Sequence, residues 1–103
     1  MNLETSSRRI AVIGGGITGL TAAWHLQQAG LEPIVFERSS RVGGVIGAVA
    51  SDGWLHELGP NSMLESSPAI AAFVDAIGLG PRRLYAAPAA QRRYIVRDGR
   101  PVA

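Results

Sequence analysis

The 103 residues contain no cysteine and no lysine. The missing thiols exclude disulfides, thiolate zinc sites and a cysteine nucleophile together, and fit a reducing compartment. All ten basic residues are arginines, set against eight acids, so the net charge is only +2. The sequence pI of 9.9 therefore reflects guanidinium groups that do not deprotonate rather than a large charge excess. These arginines fall as pairs and singles (Arg8-Arg9, Arg82-Arg83, Arg92-Arg93), not as one block with interleaved aromatics, which argues against a nucleic-acid partner. The two histidines, His25 and His56, have no companion at metal-ligand spacing, and no metal is expected. Long hydrophobic runs are also missing. The first apolar stretch, Ile10 to Ile13, meets glycine after four residues, too soon for a signal sequence or for a membrane span of about 20 residues.

Thirteen glycines punctuate the chain. Residues 1–8 read as a flexible polar lead. Arg9 to Ile13 (RIAVI) reads as a short buried strand of the parallel kind, halted by Gly14-Gly15-Gly16. A helix is predicted from Ile17 to Ala29, with Ile17, Leu20, Ala23, Trp24 and Leu26 on its apolar stripe and Gly30 as its left-handed stop. Ile34 to Glu37 (IVFE) then forms a second strand, and strand, turn, helix and strand make a βαβ unit.

Beyond the loop Arg38 to Gly44, Val45 to Ala50 and Trp54 to Glu57 flank Ser51-Asp52-Gly53 as a hairpin. Ser67 and Pro68 supply the N-cap and first position of a second helix bearing Ile70, Phe73, Val74 and Ile77 on one face, and Gly78 ends it. A last hairpin turns at Asp98-Gly99, between Arg93 to Arg97 and Arg100 to Val102. Trp24 and Trp54 are read as packing residues. Arg82-Arg83 and Arg92-Arg93 read most simply as solvated faces, the alternative being a place near anionic carboxylates or an acidic membrane surface.

The chemistry is concentrated in Gly14-x-Gly16-x-x-Gly19, between the first strand and the first helix. Gly14 permits the tight turn, Gly16 lets a diphosphate approach bare backbone, and Gly19 lets the helix pack closely. The diphosphate would rest on the helix start, at the amides of Ile17 and Thr18. Glu37, eighteen residues past Gly19, stands where a carboxylate accepts both hydroxyls of an adenosine ribose. Arg41-Val42-Gly43-Gly44 follows. Its glycine pair allows a second backbone approach to phosphate, to which Arg41 adds charge.

In this order GxGxxG, a strand-terminal Glu and R-x-G-G resemble the flavin-dependent amine oxidase superfamily, and the likeness runs from Arg9 onward. Within it, Glu57-Leu58-Gly59-Pro60-Asn61-Ser62 and Arg93-Tyr94-Ile95-Val96-Arg97-Asp98-Gly99 are similar to segments of protoporphyrinogen and coproporphyrinogen oxidases. Val45 departs from the Arg that many amine oxidases carry after the glycine pair. The resemblance implies an α/β, Rossmann-like FAD-binding βαβ unit with an added hairpin and second helix, residues 9–103 being the N-terminal part of an incomplete domain. It implies that Gly14, Gly16, Gly19, Glu37, Arg38, Arg41, Gly43 and Gly44 hold the adenine, ribose and pyrophosphate of FAD. Gly59, Pro60 and Asn61 would pass beside the flavin ring. The implied activity is oxidation of a tetrapyrrole substrate by a cytoplasmic enzyme, with peripheral membrane contact left open. Amine or carotenoid oxidation, and a non-catalytic dinucleotide-binding module, are the alternatives.

Overall fold

A computed structural model describes residues 8–103, so the expected lead at residues 1–8, Arg8 apart, lies outside the described residues. The chain divides into two compact units, residues 1–63 and 64–103.

In the first unit, strand β1 (Arg9–Ile13) pairs in parallel with β2 (Glu32–Phe36), and helix α1 (Ile17–Gln28) makes the crossover. Both strands alternate between the two faces of the sheet, as a period of two requires. Ile10, Val12, Pro33 and Val35 occupy the sheltered positions, while Ile13 and Phe36 stay exposed. Ala23 is the buried residue of α1, and Leu20, Trp24 and Leu26 are half-buried beside it. Ile17 departs from the expected stripe, being 56% exposed at the start of the helix. Gly30 ends the helix at φ 77°, a left-handed conformation that glycine adopts without a Cβ penalty.

Several strand boundaries in this unit differ from the sequence reading. Strand β2 begins earlier, at Glu32, and takes in Pro33 opposite Ile10, a position open to proline because no other strand pairs with β2 among the described residues. Glu37 falls just beyond the strand, and its carboxylate reaches back to the glycine turn. The hairpin comprises β3 (Ala48–Ser51) and β4 (Trp54–Glu57), so Val45 to Gly47 are not strand. The carbonyls of Gly44 and Ile46 are turned to Arg41 instead of to a partner strand. Asp52 and Gly53, at φ 51° and 81°, form the two-residue turn with both angles positive that matches strand twist. Trp54 is 71% exposed on this hairpin and packs no core in the described unit.

In the second unit, helix α2 (Pro68–Ala76) carries proline at its first position, where a missing N–H costs nothing. Ser67 occupies the N-cap in an extended conformation, but its side chain makes no capping bond. Val74 is buried, with Ile70 and Phe73 half-buried on the same face. Two short 3₁₀ turns, Gly80–Arg82 and Pro88–Gln91, lead to the hairpin β5 (Ile95–Arg97) and β6 (Arg100–Val102). Arg83 is no solvated face: its guanidinium bonds the Asp75 carboxylate and, at 3.0 Å, the Ala71 carbonyl of α2, and lies 3.4 Å from Glu65. The Tyr85 hydroxyl donates to Glu65 at 3.1 Å.

Candidate functional site

The site grows from the place where β1 runs into α1. Gly14 sits at φ 99°, closed to most side chains, and its N–H donates to the Phe36 carbonyl at 2.8 Å, which carries the sheet pairing one step past the strands. A Cβ on Gly19 would collide with the Gly14 carbonyl oxygen. Gly16 differs from both. Its backbone is ordinary extended chain, φ −76° and ψ 179°, and a Cβ there would meet only the Gly44 Cα at 3.9 Å. Among the described residues nothing in the fold requires glycine at this position.

Gly16 is also the N-cap of α1, which has no side-chain cap and no acid in its first turn. The first helical bond runs from the Leu20 N–H to the Gly16 carbonyl at 2.9 Å. The amides of Ile17, Thr18 and Gly19 are therefore the donors that a helix start leaves without an intrahelical acceptor, at the positive end of the helix dipole. Ile17 and Thr18 are exposed.

Glu37 closes the site from the other strand. Its Oε2 accepts the Gly15 N–H at 2.7 Å, and its Oε1 accepts the Ser39 N–H at 2.7 Å. The Ser39 amide, followed by that of Gly15, stabilises the ionised form and lowers the carboxyl from 4.5 to about 2, the expected direction for a carboxylate accepting backbone N–H bonds. The two short bonds fix the carboxylate in place, and an ionised carboxylate is an acceptor-only group of the kind that receives hydroxyls. Gly15 was not singled out in the sequence, yet a Cβ there would stand 3.1 Å from the Glu37 Cβ and from the Val42 Cγ1. The repeat Gly14-Gly15-Gly16 was the available signal.

The Arg41-Val42-Gly43-Gly44 segment joins the same corner. The Gly43 N–H donates to the Gly15 carbonyl at 2.7 Å, and Gly16 and Gly43 form a parallel bridge. Gly43 and Gly44 have φ 106° and 59°, and a Cβ on Gly44 would lie 3.2 Å from the Gly16 Cα. The Ser39 Oγ donates to the Arg41 carbonyl at 2.6 Å. These bonds link Gly15, Glu37, Ser39 and Arg41 in series, and the main chain from Arg41 to Gly43 closes the ring back on Gly15. Ser39 is the second residue that sequence reasoning missed, because its contribution is a backbone amide that any residue type possesses. Arg38 is exposed between Glu37 and Ser39. Gly59 lies against Val45, just past the glycine pair, where a Cβ would collide with the Val45 carbonyl. Pro60 and Asn61 follow as exposed residues outside any regular element.

A profile of the family described as flavin containing amine oxidoreductase matches residues 17–102. The chain belongs to this family. It is 41% identical over 98 residues to protoporphyrinogen oxidase 2, chloroplastic/mitochondrial, of Arabidopsis thaliana, covering 94% of this chain and 19% of that protein. Coproporphyrinogen III oxidase of Bacillus subtilis (strain 168) is 37% identical over 83 residues, covering 75% and 18%. A crystal structure from Exiguobacterium sp. 255-15, provisionally assigned as a protoporphyrinogen oxidase, aligns with TM-score 0.64 at 37% identity over 74% of this chain and 17% of that one. The chain thus spans about a fifth of the length of the curated relatives it matches.

FAD is the cofactor of this family, and the corner fits it. The open face at Gly16 is the cradle that a Cβ would fill, the α1 amides suit a diphosphate, and the fastened Glu37 suits a ribose. Among the described residues no group of side chains could hold a metal ion, and no helix is long and apolar enough to cross a membrane.

Proposed function

We propose that the chain is the FAD-binding part of a porphyrinogen oxidase. The observation that carries this reading is the ring in which Glu37, tied to the Gly15 amide, stands beside the uncapped start of α1. When bound, FAD supplies the redox chemistry, taking hydrogen from a reduced tetrapyrrole and returning it to dioxygen as hydrogen peroxide.

This segment binds and orients. Glu37 receives the ribose hydroxyls, Gly16 admits the diphosphate to the backbone, Ile17 and Thr18 present amides to it, and Gly43-Gly44 close the opposite side with Arg38 and Arg41 nearby. Gly59, Pro60 and Asn61 are assigned to the neighbourhood of the flavin ring. The choice of a porphyrinogen is supported by the relatives named above, by the Glu57 to Ser62 and Arg93 to Gly99 segments, and by Val45 after the glycine pair. Our reading keeps the enzyme in the cytoplasm, with any membrane contact peripheral.

The deciding experiment offers protoporphyrinogen, coproporphyrinogen and a primary amine separately to the full-length flavoprotein and follows porphyrin fluorescence and peroxide. Oxidation of a porphyrinogen with release of peroxide is expected. Peroxide from the amine, with neither porphyrinogen oxidised, would overturn the assignment.

A further inference from the structure

The charge of Arg41 suggests a direct partner for phosphate, yet its guanidinium is occupied by the main chain. Nη1 donates to the carbonyls of Val42 and Ile46 at 3.3 and 3.0 Å, and Nη2 donates to that of Gly44 at 2.8 Å. Three alternate carbonyls of one loop converge on one planar fork, a geometry that a lysine ammonium does not reproduce. Gly47 makes room for it: a Cβ there would stand 3.2 to 3.3 Å from Nη1, Nη2 and Cζ. The backbone at Gly47 lies outside the left-handed region, so the guanidinium, not the local conformation, accounts for glycine at this position.

In a trans peptide the carbonyl of one residue and the N–H of the next point in opposite directions, and the described chain has no cis bond. Gathering the carbonyls of residues 42, 44 and 46 onto Arg41 therefore turns the N–H groups of Gly43, Val45 and Gly47 away from it. For Gly43 the result is visible, since its N–H reaches the Gly15 carbonyl.

We infer that Arg41 is a positioning residue: it holds the turn through Gly43 and Gly44 so that the Val45 amide, rather than its own guanidinium or the Gly43 amide already spent on Gly15, meets the anionic diphosphate. This rests on the FAD-binding role proposed above. The test uses full-length apoprotein with FAD, ADP and adenosine as probes, in the unmutated protein, in Arg41→Lys and Arg41→Ala, and in Gly47→Val, which displaces the guanidinium while keeping the arginine. All three variants are expected to weaken FAD and ADP about tenfold or more, the order expected for one charged hydrogen-bonding group, and to bind adenosine as the unmutated protein does. Near-normal ADP binding by Arg41→Lys would show that charge alone suffices and overturn the inference. Equal losses of ADP and adenosine would do the same, by showing collapse of the whole turn. Failure of the unmutated protein to take up FAD would overturn the FAD-binding role itself, before any substitution is considered.

Discussion

Gly16 and Gly19 belong to one motif but are glycine for opposite reasons. At Gly19 a side chain would strike the Gly14 carbonyl, so Gly19→Ala must push α1 off its turn. Its expected cost is about 1–3 kcal/mol of stability, as for overpacked sites. At Gly16 the backbone is ordinary and the space is open. Gly16→Ala should therefore leave stability within about 1 kcal/mol of the unmutated protein while weakening FAD binding at least tenfold. Urea unfolding and FAD titration of both variants check this, and a Gly16→Ala protein with unchanged FAD affinity would refute the cradle. Glu37 gives a prediction of a different kind. Its folded pKa of about 2 lies below the ordinary 4.5, so the stabilisation from ionised Glu37 is fully present above pH 4.5 and is lost as pH falls towards 2. The stability difference between the unmutated protein and Glu37→Gln should be constant above pH 4.5 and shrink below it. A difference that stayed level down to pH 2 would mean that the amides of Gly15 and Ser39 do not hold the carboxylate.

At the scale of elements, the features written in local chemistry were the legible ones. Apolar runs bounded by glycine located β1 and α1, and the Asp-Gly pairs located both hairpin turns, because positive φ at two successive positions is a requirement a sequence displays directly. The extent of β3 was not legible: Val45 and Ile46 have strand character, but a guanidinium several residues upstream draws the carbonyls of Gly44 and Ile46 to itself in place of a partner strand. The ring around Glu37 was half legible. The carboxylate and the glycines could be named from spacing, whereas the parts played by Gly15 and Ser39 depend on backbone amides that leave no mark on residue type. Arg83 was misread for a related reason. A pair of arginines looks solvated until folding brings Asp75, Glu65 and the Ala71 carbonyl around one of them.

At the scale of the whole molecule, the sheet of the first unit has one apolar face sheltered by α1 and another that is not. Ile13 and Phe36, paired in register on the unsheltered face, are 81% and 54% exposed. Two strands with one covering helix make a marginal structure, and an exposed apolar patch of this kind marks a surface that another layer covers. The matched relatives, five times longer, have ample chain to provide one. Phe36→Ala separates a covered face from a bare one. Where Phe36 is buried by further protein the substitution should cost about 3–5 kcal/mol, the usual range for deleting a core phenylalanine. In the 103-residue chain alone, with the ring already half in water, it should cost under about 1 kcal/mol. Denaturant unfolding of both forms decides the matter: a small, equal cost in both would mean that this face stays bare and that β1 and β2 are the edge of the protein rather than the start of its sheet.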